Sequence, residues 1–388
     1  MLNVDAVVGG SLWVSRDSLH VTVNLQGTSE GSEVWEEVYV WRVQELPTLV
    51  EEIAGGITDQ LEGVPGDGTD SPVVSQPDLN WEAWELYVRG VEAVNSGDQT
   101  GLEDAIGHFA AAIQVDPAFA PAFAGMADAL LHLTSDSVGQ TIAVASVALA
   151  LALDPTSEEA HTIQGRLWNE PGSWAEAEQE FRSAIRYNSS YAPAHMWLGN
   201  NLLVRGRSAE GLDEFQEASR LDPGSASIAV GLSQALSATG DPWGAIDEAR
   251  RATRINPTYP YGHSALAVAL AAVGQFDEAL VEASLAVDPL DPAPNAEATL
   301  AAVHARAGTF GEARMILERL RSLPGRESLL PSALVFANLA ELDSAFVLLN
   351  RVPSWNPPSR DWLRNSPIWS PVREDPRWRQ LLGRQGMG

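Results

Sequence analysis

The sequence contains no cysteine and no lysine. The first absence excludes disulfides, thiolate metal sites and cysteine nucleophiles. The second leaves arginine to supply all 24 basic residues against 52 acidic ones, for a formal net charge of −28. Such a chain repels both a nucleic-acid backbone and an anionic membrane surface, so neither is an expected partner. Long apolar runs are also missing. The longest, 141–153, falls short of the ~20 residues that span a bilayer. The opening Met1-Leu-Asn-Val-Asp lacks the basic segment and apolar run of a signal peptide. These absences predict a cytoplasmic chain without a transmembrane segment; only a part preceding Met1 could supply an anchor or a periplasmic address.

Catalytic signatures are absent as well. There is no G-x-S-x-G, H-E-x-x-H, phosphate loop or dinucleotide fingerprint. The adjacent carboxylates Glu36 and Glu37 face opposite ways on a strand and cannot act as a dyad. The expectation is therefore a non-enzyme without cofactor or metal.

What is present is a period. Gly172, Gly206, Gly240, Gly274 and Gly308 each follow the last by 34 residues, and each is followed five residues later by Ala177, Gly211, Ala245, Ala279 or Ala313. Turn marks keep step at Pro117, Pro155, Ser189, Pro223 and Pro257, where proline ends a helix because it lacks an N–H and crowds the preceding turn. Each unit reads as helix A, a tight turn, helix B and a turn. The fourth unit shows the pattern most fully, with Leu198 and Gly199 in helix A, Gly206 at its end, and Gly211, Phe215 and Ala218 in helix B. The period, the small residues and the prolines together resemble the tetratricopeptide repeat. The array runs over 80–352 as seven to eight helix pairs, and the resemblance implies a mainly α, right-handed solenoid.

Around the array the composition changes. Residues 1–64 read β-β-β-α: strands over 5–14, 19–25 and 34–41, then a helix over 46–61 spaced by Leu49, Ile53, Ile57 and Leu61. The stretch "VDAVVGGSLWVSRDSLHVTVNLQGTSEGSEVWEEVYVW" followed by "ELPTLVEEIAGGI" is similar to the second half of the TolB N-terminal-like domain. In bacterial signalling proteins that domain neighbours tetratricopeptide repeats downstream of a winged-helix, cyclase or kinase domain. The opening strand-helix half of the domain does not appear here. A three-stranded edge left unpaired invites completion by a second chain, so self-association through 1–64 is an expectation. Residues 65–79, rich in Pro, Gly, Ser and Asp, read as a linker. Residues 353–388 hold Trp355, Trp362, Trp369 and Trp378, and the stretch 351–388 carries seven arginines against three acids. They read as short helices over 361–364 and 375–382 that cap the last repeat, with a Trp-lined peptide site as the alternative.

The repeat resemblance also implies where a partner would sit. Its concave groove is lined by the second, fifth, ninth and twelfth residues of helix A. Here these are Glu159, Thr162, Arg166 and Asn169; Pro193, Met196, Asn200 and Leu203; Ser227, Val230, Gln234 and Ser237; Tyr261, Ser264 and Val268; and Asn295 and Ala298. Asn200 and Gln234 stand in register and can grip a peptide backbone through their amides. The equal alternative is that these are ordinary surface residues. His161, His195 and His263 also recur in register, but successive repeats set them ~10 Å apart, too far to share a zinc; packing is the expected role. The function expected is a scaffold for a protein or peptide partner. The alternative is the regulatory C-terminal part of a signalling protein.

Overall fold

The structure, a computed structural model, describes residues 6–15, 18–27, 33–42, 80–94, 99–133, 137–169, 173–288, 293–323, 328–352 and 363–384. The chain divides into two compact units, Met1–Trp84 and Glu85–Gly388.

In the first unit, β1 (Ala6–Ser15), β2 (Ser18–Gly27) and β3 (Glu33–Arg42) form an antiparallel meander in the order β1-β2-β3. The β1–β2 ladder runs from Ala6 opposite Gly27 to Ser15 opposite Ser18. Leu25 pairs with Trp35 and Gln26 with Glu33, so Val34 is the extra residue of a bulge. The three strands expected from alternation are present. The expected helix over 46–61 and the linker over 65–79 lie outside the described residues.

The second unit is an array of helix pairs. Each odd-numbered helix is an A helix and each even-numbered one a B helix: α1 (Trp81–Val94) and α2 (Gln99–Val115); α3 (Ala120–Leu133) and α4 (Ser137–Leu153); α5 (Glu158–Trp168) and α6 (Trp174–Tyr187); α7 (Ala192–Val204) and α8 (Ser208–Leu221); α9 (Ala226–Thr239) and α10 (Pro242–Ile255); α11 (Pro260–Ala272) and α12 (Phe276–Leu285); α13 (Pro294–Arg306) and α14 (Phe310–Ser322); α15 (Leu329–Asn338) and α16 (Leu342–Leu349). Proline starts α7, α10, α11 and α13, where its missing N–H would be unpaired in any case. Gly206, Gly240, Gly274 and Gly308 all take positive φ. The residue after each donates its N–H back over the turn: Arg207 to Leu202, Asp241 to Leu236, Gln275 to Leu270 and Thr309 to His304, at 2.9 to 3.0 Å. This is the 6→1 bond of a glycine-terminated helix. The eighth pair makes the same bond, Glu341 to Phe336 at 2.9 Å, with Ala340 at a φ of 62° in the glycine's place. Gly172 lies outside the described residues.

The helices form two layers. From α3 to α15 each A helix touches the next A helix as well as its own partner, whereas the B helices stand further apart. The A helices are therefore the inner, concave layer of a curved stack. Their residues show it: α7 and α11 are buried on nearly every side, while α8 buries only Gly211, Phe215 and Ala218. A helix apolar all round belongs inside and an amphipathic one outside.

Small and large residues complement each other between the layers. Phe109, Phe181 and Phe215 project from B helices and are buried. A Cβ on Gly165 would lie 2.5 Å from Phe181, one on Gly199 2.8 Å from Phe215, and one on Gly231 2.1 Å from Phe215. Where the B residue shrinks to Ala249 or Ala283, the A position sixteen residues earlier grows to Ser233 or Ala267. Gly211 serves closeness of a different kind: its Cβ would sit 2.9 Å from the Gly199 carbonyl oxygen.

The chain ends by folding back. A 3-10 turn (Pro367–Trp369), α17 (Ser370–Arg373) and α18 (Arg377–Arg384) follow residues 363–366. Asp375 caps the last helix, accepting the Arg377 N–H at 2.9 Å. The segment packs on the last repeat, but it also runs much further back than a terminal cap. Arg364 donates to the Val204 carbonyl and Asn365 to the Leu203 carbonyl, both at 3.1 Å. Asn338 donates to the Ile368 carbonyl at 3.0 Å. Leu363, Ile368, Trp369 and Val372 are fully buried in one cluster with residues of α11, α13 and α15. The tail thus lies across the C-terminal ends of the A helices from α7 to α15. The cations of Arg364 and Arg306 stand at helix C-termini, where the macrodipole favours them. Trp355 and Trp362 lie outside the described residues.

Candidate functional site

The three histidines in register act as braces. Nδ1 of His161, His195 and His263 lies 2.6, 2.7 and 2.7 Å from a carboxylate oxygen of Glu180, Glu214 and Glu282, each nineteen residues on in the paired B helix. Nε2 of each faces a carbonyl oxygen six residues earlier, those of Pro155, Ser189 and Pro257. One ring thereby ties helix A to helix B and to the preceding turn. In the seventh repeat Glu297 takes this position, buried and ion-paired with Arg319.

The groove residues divide into three groups. Thr162, Asn169, Leu203, Val230, Val268 and Ala298 are buried between helices. Asn169 accepts from Asn201 Nδ2 at 2.8 Å, and Leu203 lies at the point where Asn365 of the tail docks. Ser227, Tyr261 and Asn295, at the N-terminal ends of α9, α11 and α13, are exposed, Tyr261 to 68 %. Pro193, Met196, Asn200, Gln234, Ser237 and Ser264 lie between these extremes, partly exposed. The inner face is therefore split lengthwise. The tail covers the C-terminal ends of the A helices, and a strip toward their N-terminal ends retains exposure. On that strip the Asn200 Oδ1 atom is buried without a hydrogen-bond partner, an unusual condition for a polar atom.

At the N-terminal end of the array the inner face closes on itself. Tyr87 of α1 donates to Glu159 of α5 at 3.3 Å, across 72 residues of sequence. Arg166 pairs with Asp128 of α3, donates to His132 at 3.2 Å and stacks 4.7 Å from the centre of the Trp197 ring of α7. Burial, reinforced by the Asp128 charge, pushes Glu159 up to about 7, against the Tyr87 hydrogen bond. Burial and the same carboxylates also raise Tyr87 and Tyr191. Asp128 is the ninth residue of α3 as Arg166 is of α5, at the 38-residue interval that also separates Pro117 from Pro155, whereas Tyr87 and Trp197 share no spacing with Glu159 or Arg166 and carried no signal in the sequence.

Two of these groups make stability depend on pH. Burial opposes charge on His195, but the hydrogen bonds to Glu214 and the Ser189 carbonyl outweigh it and raise the pKa above 6.5. Glu159 is raised from 4.5 to about 7. A group whose folded pKa exceeds its unfolded value stabilises fully below the unfolded value and ceases to as pH rises through the folded one. Thermal melts in a pH series should accordingly show two losses: one between pH 4.5 and about 7, removed by Glu159→Gln, and one above pH 6.5, removed by His195→Gln. Unchanged slopes in both variants would refute the assignment.

The family model of the tetratricopeptide repeat matches residues 170–226 and 197–260. These residues, which span α6 to α10, are tetratricopeptide repeats. The pairs after α10 repeat the same turn and cap, and the helices before α6 pack in the same order, so the array is a tetratricopeptide-repeat solenoid. Among solved structures the chain is similar to the MamA protein, at 19 % identity over 46 % of this chain and 94 % of that one, with a TM-score of 0.31. It is also similar to YrrB, described as a TPR protein with an unusual peptide-binding site, at 18 % identity over 52 % of this chain and 96 % of that one, with a TM-score of 0.36. No curated protein matches the sequence. Among the described residues no helix is long and apolar enough to cross a membrane, and no three His, Asp or Glu side chains gather as a metal site.

Proposed function

We propose that the chain is a non-catalytic interaction scaffold whose tetratricopeptide repeats hold an extended segment of a protein partner. The segment lies along the strip of the inner face that the tail leaves uncovered, against Met196, Asn200, Ser227, Gln234, Tyr261, Ser264 and Asn295. The observation that carries this reading is the row of exposed side chains Ser227, Tyr261 and Asn295 along the inner face, beside the half-buried amides of Asn200 and Gln234 one repeat apart. Those two amides can each pair with a peptide group of a bound segment. The strip is largely neutral, so affinity would come from these amides and from apolar contact with Met196 and Tyr261. Arg166, the one cation among the groove residues, is committed to Asp128 and Trp197.

Selection from a displayed peptide library on the full chain should yield binders. The Asn200→Ala/Gln234→Ala variant should lose at least about tenfold in affinity, since each lost amide contact is worth about 1 kcal/mol. Binders indifferent to both substitutions would sink the proposal. A second reading, favoured by the β1–β3 meander that precedes the repeats in the sequence, makes the chain the sensory part of a larger signalling protein, with the same strip receiving the signal.

A further inference from the structure

One outer helix differs from all the others. Among the B helices described, α4 alone contains no Asp, Glu, Arg or His. Its inner side, with Ala143, Val147 and Ala150, packs on α3 and α5. Its outer side exposes Val138 to 66 %, Ile142 to 44 %, Val144 to 50 %, Leu149 to 49 % and Leu153 to 42 %; among the described side chains, Gln140 and Thr141 are the polar ones on it. A helix apolar on all sides is normally enclosed, and a contiguous exposed patch of this kind marks an interaction surface.

The order of residues on the patch says what encloses it. Val138, Ile142, Ala145, Leu149 and Leu153 fall on one stripe of the helix. Their sizes run large, large, small, large, large, and so read alike in both directions. Two antiparallel copies of this stripe about a two-fold axis set Val138 against Leu153 and Ile142 against Leu149, with Ala145 beside the axis, where a small side chain lets the backbones approach. A two-fold interface has to be self-complementary in this way. Charge points to the same occupant. Two chains of net charge −28 repel each other least where neither presents a charge.

We propose that α4 is a self-association surface through which two copies of this chain pair antiparallel about a two-fold axis. A 17-residue helix is about 25 Å long, and one such strip buries less than the ~800 Å² per partner of a stable interface. The dimer is accordingly weak and concentration-dependent.

Sedimentation equilibrium on the full chain tests it, in salt enough to screen the net charge. The mass should climb from 41.6 kDa toward twice that value between about 1 and about 200 µM, the range of a weak interface. Ile142→Glu and Leu149→Glu should each stay monomeric, with unchanged circular dichroism because both sites are exposed. The chain has no cysteine, so a single introduced thiol reports its own position. Ala145→Cys should oxidise to a covalent dimer, and Val138→Cys, which faces the far end of the partner helix, should not. A wild type monomeric at every concentration overturns the proposal. So does a dimer that survives Ile142→Glu, which would place the contact elsewhere, residues 1–64 included. Equal cross-linking at 138 and 145 overturns the two-fold register.

Discussion

Phe215→Ala should destabilise the array by about 3–5 kcal/mol, the range for truncating a buried aromatic. The ring is enclosed between Gly199 of its own repeat and Gly231 of the next, so its removal leaves a cavity that spans two repeats. Gly231→Ala alone should also destabilise, by about 1–3 kcal/mol, because the added Cβ overlaps the ring. The informative variant is the double. With the ring gone, the new methyl partly fills the space, so Phe215→Ala/Gly231→Ala should be more stable than Phe215→Ala, and the two effects should be coupled rather than additive. The following repeat already shows the arrangement, with Ala249 where Phe215 would be and Ala265 where Gly231 would be. Urea denaturation midpoints give the comparison. Strict additivity would mean that the ring and the two glycines are not one packing unit.

Trp369→Ala should have an effect of similar size, about 3–5 kcal/mol, but of a different character. Repeats touch only their neighbours, so a solenoid tends to lose cooperativity along its length. Beyond the Tyr87–Glu159 bond, the tail is the exception. Its contact between Arg364 and Val204 spans 160 residues, and its buried Trp369 shares a cluster with α11, α13 and α15. It therefore ties the fourth repeat to the eighth. Removing the ring should broaden the unfolding transition as well as shift it, since the C-terminal repeats would then unfold more independently. Amide exchange should show 363–373 losing protection in the variant, while the α5–α6 pair, which the tail does not reach, keeps its own. A transition as steep as that of the wild type would show that the tail is an appendage rather than a tie.

The sequence is most legible where the physics is local and repeated. A left-handed residue is needed at the end of each A helix, and the glycines at 206, 240, 274 and 308 announce it. A close approach between A and B is needed five residues on, and the small residues 211, 245, 279 and 313 announce that. The exchange of Phe215 with Gly199 for Ala249 with Ser233 is readable for the same reason, because sixteen residues separate both pairs. Ala340 shows the limit. It holds the positive φ of the eighth pair without the glycine that would have signalled it, since the same 6→1 hydrogen bond to Phe336 keeps the turn in place.

The candidate site was legible only in part. The register of Asn200 and Gln234 follows from the period, but the burial of Asn169, Leu203 and Ala298 does not. Whether an inner-face residue meets solvent, a neighbouring A helix or the tail depends on how closely successive repeats approach. The reach of Tyr87 to Glu159 has the same origin, a two-repeat span closed by curvature. The sequence by itself determined the helix pairs, their caps, their contact residues and the uncharged stripe of α4, because each is set within a repeat or one helix. The tertiary structure alone decided the path of residues 363–384 and the strip they leave open. Those depend on the small rotations summed over five repeats, and no single repeat encodes that sum.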